Sequence, residues 1–147
     1  MKFYYLSESF YTKYSSYSEI LQKKTRPYAT LIIEDSGVTF AIPIRTNINK
    51  NNHYCFITNE KKNSGLDYLK AVVISENTYI NTITEAKISD FEFNKIKFKE
   101  KEIQNSFKKF LKDYIKFNKR YKKNTSIPIP ISFQYSSLQY FHDELGI

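Results

Sequence analysis

The sequence predicts an α+β fold in which a strongly twisted antiparallel sheet packs against helices. Short apolar runs rich in β-branched residues alternate with turn signals, and one long amphipathic helix follows them. The chain has 147 residues, which suits a single domain over residues 1–147 with a core of its own.

The first part of the chain predicts mainly strands. "MKFYYL" is typical of a short strand, and residues 7–21 predict a helix capped by Ser7. "YATLIIE" and "VTFAIPIR" flank the turn "DSG" and predict a hairpin. Pro43 indicates a sheet edge or a bulge in the second of these strands. "HYCFIT", "YLKAVVIS" and "TYINTITEAKIS" predict further strands.

A long basic amphipathic helix is predicted near residues 99–122. Its apolar stripe repeats at helical spacing and comprises Ile103, Phe107, Phe110, Leu111, Tyr114, Ile115, Asn118 and Tyr121. The segment "SIPIPI" ends this region, and a last short helix is predicted from Ser136 to about Gly146, with Gln139 completing a capping box.

The composition indicates an anionic partner. The formal net charge is +8 and the pI is about 9.4. Codon bias is an alternative source of this charge, because the abundant Lys, Asn, Ile, Tyr and Phe all have AT-rich codons. The alternative to a nucleic-acid partner is therefore a protein-binding domain whose charge has no binding role.

The lysines of the long helix have two interpretations. One is an ordinary solvated face. The other is a phosphate-binding surface, which is favoured because lysines four residues apart repel each other unless anions compensate them. Tyr and Phe rings between the basic residues also suit the stacking of single-stranded bases. The predicted RNA-contacting residues of this helix are Lys108, Lys112, Lys116, Lys119 and Arg120.

Several function classes are disfavoured. The sequence has no zinc-type Cys/His spacing, no P-loop, no dinucleotide-binding glycine motif and no acidic pair suited to Mg²⁺, so neither metal nor cofactor is expected.

The single cysteine, Cys55, is interpreted as a small buried hydrophobe, the alternative being a nucleophile beside His53. No apolar run reaches the length of a membrane span and the start does not resemble a signal peptide, so a cytoplasmic protein is expected.

The stretch "FAIPIRTNINKNNHYCF" carries a predicted catalytic loop. Arg45 is suited to clamp a phosphate, Thr46 and Asn47 to donate hydrogen bonds to it, and Lys50 to add charge. Metal-free RNA cleavage needs these groups together with a proton carrier, a role that a histidine such as His53 can fill. The alternative for His53 is a half-exposed residue at a strand end. His142 is expected at the surface.

The stretches "MKFYYLSESF", "RPYATLIIEDSGVTFAIPIRTN" and "GLDYLKAVVI" resemble the toxins of type III toxin–antitoxin systems. These are the ToxN, CptN and TenpN families with their relative AbiQ, and the CptN/TenpN branch is the most similar. The resemblance implies a metal-independent endoribonuclease that leaves 2′,3′-cyclic phosphate and 5′-hydroxyl ends. It also implies a small repeated RNA antitoxin, folded as a pseudoknot, that blocks the active site and joins several toxin copies.

The resemblance assigns further residues. The hydroxyl of Thr46 and the basic residue Arg26 match positions of the ToxN branch, whereas Arg45 stands where that branch has a second hydroxyl. A tyrosine of that branch falls beside Tyr11, which is therefore predicted to contact RNA. Lys70, after "GLDY", is a further basic candidate, with a plain surface lysine as the alternative.

A rival function from a different class is a non-catalytic RNA-binding module. It would use the same basic helix and aromatic rings and would not need His53.

Overall fold

The computed structural model describes residues 1–22 and 28–147. Its strands are β1 (Lys2–Leu6), β2 (Ala29–Asp35), β3 (Val38–Arg45), β4 (Cys55–Asn59), β5 (Ser64–Asp67), β6 (Val72–Val73) and β7 (Ile80–Glu85). Its helices are α1 (Glu8–Lys13), α2 (Asp90–Phe98), α3 (Glu100–Lys123), α4 (Ile131–Gln134) and α5 (His142–Leu145). Short 3₁₀ turns lie at Tyr68–Lys70, Asn77–Tyr79 and Ser137–Tyr140. The predicted α+β fold class is confirmed.

The strands form one seven-stranded antiparallel sheet in the order β4-β5-β3-β2-β1-β7, and β6 also pairs with β3. The predicted hairpin is its centre, with Asp35 paired to Val38 across the turn. Gly37 has φ +79°, a conformation that glycine adopts without steric cost.

Pro43 lies at the centre of the sheet, so the predicted edge position is wrong. It pairs with Thr30 of β2 on one side of β3. On the other side, β6 pairs with Phe40 and Ala41 whereas β5 pairs with Ile44 and Arg45. The proline thus falls in the gap between two partner strands, where a missing N–H breaks no ladder bond. This change of partner carries the end of β3 away from β6 and towards β5.

Gly65 holds β5 tightly against β4. A Cβ at this position would collide with the carbonyl oxygen of Phe56, so only glycine allows the two backbones to approach. Gly65 also pairs with Arg45. The close approach therefore fixes the strand end that carries Arg45.

The core lies between the sheet and α3. The predicted stripe of α3 is confirmed over the buried residues Ile103, Phe107, Phe110, Leu111 and Tyr114. In the described ranges, no helix is long and apolar enough to cross a membrane.

Two helix predictions need correction. The first helix ends at Lys13 instead of residue 21, and Ser7 caps it as predicted by accepting a hydrogen bond from the Phe10 N–H. The C-terminal region is divided into short turns instead of one helix. Ser136 caps the 3₁₀ turn through the Leu138 N–H, and the Gln139 amide donates to the Ser136 carbonyl instead of closing a capping box.

Candidate functional site

A cleft of about 720 Å³ lies at the carboxyl end of β3. The loop after β3 forms one wall, and α4 with Tyr135 contributes the other. The residues that line it are Arg45, Asn47, Asn49, Asn51, Asn52, Asp67, Leu69, Lys70, Ile131, Ser132 and Tyr135.

The loop from Thr46 to His53 is anchored by its own backbone. Asn47 has φ +56°, a left-handed conformation that asparagine tolerates better than most residues. The N–H groups of Asn47 and Ile48 donate to the carbonyls of Lys62 and Asn63 at 3.2 and 3.0 Å. Ile48 is buried. The loop is therefore held at its start against the β4–β5 turn.

Asp67 closes this loop at both ends. Its buried carboxylate, 4% exposed, faces Arg45 Nη1 at 3.4 Å and accepts from Asn52 Nδ2 at 3.0 Å. It also accepts from the Leu69 N–H at 3.1 Å, which caps the 3₁₀ turn. Burial raises the pKa of Asp67, an effect that Arg45 and the hydrogen bonds only partly oppose. Burying the charged Asp67 carboxylate therefore costs desolvation free energy. In return, the carboxylate fixes the orientation of Arg45.

Lys70 holds the opposite wall. Its ammonium donates to the Glu19 carbonyl at 3.1 Å, to Glu19 Oε2 at 2.9 Å and to the Tyr135 carbonyl at 2.8 Å. An ammonium has three donors, so all of them are used within the chain. Lys70 therefore positions the Tyr135 segment, and any contact of its ammonium with RNA would require one of these bonds to be exchanged.

The predicted catalytic residues are only partly brought together. Arg45 and Asn47 line the cleft, whereas Thr46, Lys50 and His53 are exposed on the same loop and do not line it. His53 directly follows Asn52, which Asp67 links to Arg45.

Tyr11 does not lie at the predicted RNA-contacting surface. Its ring is 7% exposed and packs edge-on against Phe10, and burial raises the pKa of its hydroxyl to about 12. A base cannot stack on a ring that is almost completely buried. Arg26, the other basic residue assigned by the resemblance, lies outside the described residues.

The basic face of α3 divides into two parts. Lys108 lies 3.8 Å from Asp35, and Lys109 forms an ion pair with Asp113 at 2.8 Å. Further along, a shallow groove is lined by Lys112, Ile115, Lys116, Lys119, Arg120 and Lys123. Among the residues that the structure describes, no carboxylate pairs with the cations of this groove. This α3 groove is therefore free to bind anions.

Tyr54 joins the loop to α3. Its ring packs on Phe110 and Phe133, and its hydroxyl donates to Asp113 at 3.4 Å. The end of the loop that carries His53 therefore abuts the middle of α3.

Cys55 and His142 differ from their predicted surroundings. Cys55 is only partly buried and its thiol donates to the Asn52 carbonyl at 3.4 Å, while burial raises the thiol pKa to about 11, which disfavours a nucleophilic thiolate. His142 is half-buried instead of fully at the surface, with Nε2 2.8 Å from the Tyr114 hydroxyl. Burial lowers its pKa.

Sequence reasoning missed most of the lining residues, among them Asp67, Ser132 and Tyr135. Asp67 looked like part of a turn, and Ser132 and Tyr135 lay beyond the proline-rich break with no motif of their own. The only local signal was the position of Asp67 as a cap before "YLK". Within residues 1–22 and 28–147, no cluster of His, Cys, Asp and Glu is suited to hold a metal ion.

The fold and the site define a small α+β protein with an arginine-bearing cleft and a separate cationic groove along α3. Its fold is that of a solved structure described as "A processed non-coding RNA regulates a bacterial antiviral system", with a TM-score of 0.56 and 13% sequence identity. The match covers 97% of this chain and 98% of the other. The resemblance predicted from the sequence is confirmed at the level of the fold. The sequence matches no protein-family model and no curated protein.

Proposed function

We propose that this protein is the toxin of a type III toxin–antitoxin system and acts in phage defence as a metal-independent endoribonuclease. The observation that carries the proposal is the placement of Arg45 in a cleft beside several asparagines, at the start of the loop that bears Thr46, Asn47 and His53. The shared fold with a protein of an RNA-regulated bacterial antiviral system supports it.

The chemistry follows from what RNA cleavage requires. The 2′-oxygen forms a bond to the adjacent phosphorus while the bond from phosphorus to the 5′-oxygen breaks. One proton leaves the 2′-hydroxyl and one is delivered to the 5′-oxygen. Arg45 stabilises the added negative charge with the part of its guanidinium that is open to the cleft. The contact of Nη1 with Asp67 holds the guanidinium in place. Thr46 and Asn47 orient the phosphate, and His53 acts as the acid or the base.

The proposal includes the partners implied by the resemblance. In a bacterial cytoplasm, a small repeated RNA antitoxin folded as a pseudoknot would occupy the basic surfaces, be processed by the enzyme, and join several toxin copies into one assembly. Cellular or phage RNA would be the substrate when the antitoxin is lost. The unpaired cations of the α3 groove support an RNA partner of this kind.

The activity can be tested with purified protein, single-stranded RNA and EDTA. We expect discrete products with 2′,3′-cyclic phosphate and 5′-hydroxyl ends. Replacing His53 with alanine should lower the cleavage rate by about 10²- to 10⁴-fold while the dissociation constant for RNA stays the same, because the change removes a proton carrier and no phosphate contact.

Two outcomes would contradict this scheme. Intact RNA with salt-dependent binding would favour the non-catalytic RNA-binding module. Wild-type cleavage by both His53→Ala and Thr46→Ala would exclude the assigned roles. In cells, the wild-type protein should arrest growth alone and be harmless when its neighbouring repeat RNA is expressed.

The α3 groove predicts a salt effect. Replacing Lys112, Lys116 and Lys119 with glutamine should weaken RNA binding and reduce the slope of log Kd against log salt by about 0.7 for each lost phosphate contact. Fluorescence anisotropy at several salt concentrations measures this slope. Lys101→Gln is the matched control, because Lys101 is an exposed lysine on the same helix, outside the α3 groove. An unchanged slope in the triple variant would remove the groove from the RNA-binding surface.

A further inference from the structure

Tyr135 is an exposed aromatic ring inside the cleft. It is 54% exposed, whereas most large aromatic side chains of this chain are buried in or packed against the core. Its neighbour Ile131 is 73% exposed and lines the same cleft. The other strongly exposed rings, Phe91 and Phe98, lie on α2 and do not line it. An apolar surface is thus presented in the cleft that contains Arg45.

The backbone that carries Tyr135 is firmly held. The Tyr135 carbonyl accepts from Lys70 Nζ at 2.8 Å, and its N–H donates to the Ser132 carbonyl at 3.3 Å. The next residue, Ser136, is fully buried and caps the following turn. The exposure of the ring is therefore a property of a fixed segment and not of a frayed end.

Amide side chains stand on the other wall. Asn47 and Asn51 line the cleft, and their side chains form no hydrogen bond with any residue that the structure describes. An amide carries both donors and an acceptor, so it can pair with the edge of a nucleobase. The amide of Asn52 is used by Asp67 and is not available.

We infer that the cleft is a nucleobase-recognition subsite for single-stranded RNA, in which one base stacks on Tyr135 and presents its edge to Asn47 and Asn51. This inference rests on the proposed function and adds the residues that select the nucleotide beside the cleaved phosphate. Arg45, on the same cleft, holds that phosphate. Stacking accepts every base, so the amides supply the preference.

The combination of groups favours a nucleotide over a peptide. A peptide would be bound through backbone hydrogen bonds or apolar pockets, whereas this cleft offers the Arg45 guanidinium, one flat ring and unpaired amides. These are the three contacts that a phosphate and its base require.

The test compares Tyr135→Ala with Tyr135→Phe and with Phe98→Ala, which removes an even more exposed ring from α2, outside the cleft. On single-stranded RNA, Tyr135→Ala should raise KM by about 5- to 150-fold, the factor that corresponds to the loss of one stacked base. Both Tyr135→Phe and Phe98→Ala should keep the wild-type KM. Thermal unfolding of all three variants should stay close to that of the wild type, because both rings are mostly exposed to solvent.

A substrate with a single abasic nucleotide identifies the contact. An abasic site next to the cleavage position should raise the wild-type KM by at least the same factor and raise the KM of Tyr135→Ala much less, since the stacking contribution is already gone in that variant. Sequencing the products from a randomised RNA pool should show a weakened base preference for Asn51→Ala, which leaves the phosphate-orienting residues in place. If Tyr135→Ala discriminates between abasic and intact RNA as the wild type does, the subsite is refuted. If the wild type neither cleaves nor binds RNA, the proposed function fails first.

Discussion

Replacing Arg45 with alanine is expected to reduce RNA cleavage by about 10²- to 10³-fold, the usual effect of removing a group that stabilises charge in the transition state. The guanidinium is held by Asp67 at the end of β3, so it is already oriented before RNA binds. Arg45→Lys should recover only part of the rate, because a lysine keeps the charge but not the planar pair of donors. Single-turnover cleavage at saturating protein measures the effect.

The stability of the variant must be separated from its chemistry. Arg45→Ala leaves the buried carboxylate of Asp67 without its cation, which should lower the free energy of unfolding by about 1–3 kcal/mol. Adding Asp67→Asn removes the unpaired charge and should restore much of that stability without restoring cleavage. A double variant that cleaves RNA at the wild-type rate would contradict the role of Arg45.

Replacing Asp67 with alanine should have the largest effect on the fold of the site. The variant loses the contacts to Arg45 and Asn52 and the cap on Leu69. We expect a loss of about 2–4 kcal/mol in the free energy of unfolding, together with reduced cleavage, because both ends of the loop are released. Chemical denaturation measures the first effect. The isosteric Asp67→Asn is the matched control, since its amide oxygen can still accept from Asn52 and Leu69, and it should stay within about 1 kcal/mol of the wild type.

The same pair of proteins carries a pH signature. Burial raises the pKa of Asp67 above its ordinary value of 3.8 in the folded state. The folded state therefore binds the proton more tightly than the unfolded chain does, and this stabilising contribution is complete below pH 3.8 and is lost as the pH rises through the raised pKa. Relative to Asp67→Asn, the wild type should lose stability over that window. A wild type that gains stability relative to Asp67→Asn as the pH rises through this window would contradict the interpretation.

The elements with strong local patterns were predictable from the sequence. The hairpin of β2 and β3 is defined by two β-branched runs around Asp35–Gly37, and α3 by residues that repeat at helical spacing. The first helix was predicted too long, because Ser15, Ser16 and Ser18 favour turns through their own hydrogen bonds. The short helix α2 was not predicted, since it has almost no amphipathic pattern.

Only the residues on one wall of the cleft were predictable from the sequence. The composition of the loop after β3 pointed to Arg45 and Asn47, because polar residues interrupt an apolar run there. Asp67 and Tyr135 are brought to Arg45 by strand pairing and by the bond from Lys70. Neither contact leaves a trace in local sequence, since each joins segments far apart in the chain.

The 3₁₀ turn Tyr68–Lys70 has a mechanical consequence for the cleft. Asp67 at its start fixes the loop with Arg45, and Lys70 at its end fixes the backbone of Tyr135. A turn of this type rises about 2.0 Å per residue, so the turn connects the two walls over a distance of about 6 Å. The width of the cleft is thus set before any ligand binds. Binding need not order the site, and affinity should depend on how closely the thickness of a ligand matches that fixed opening.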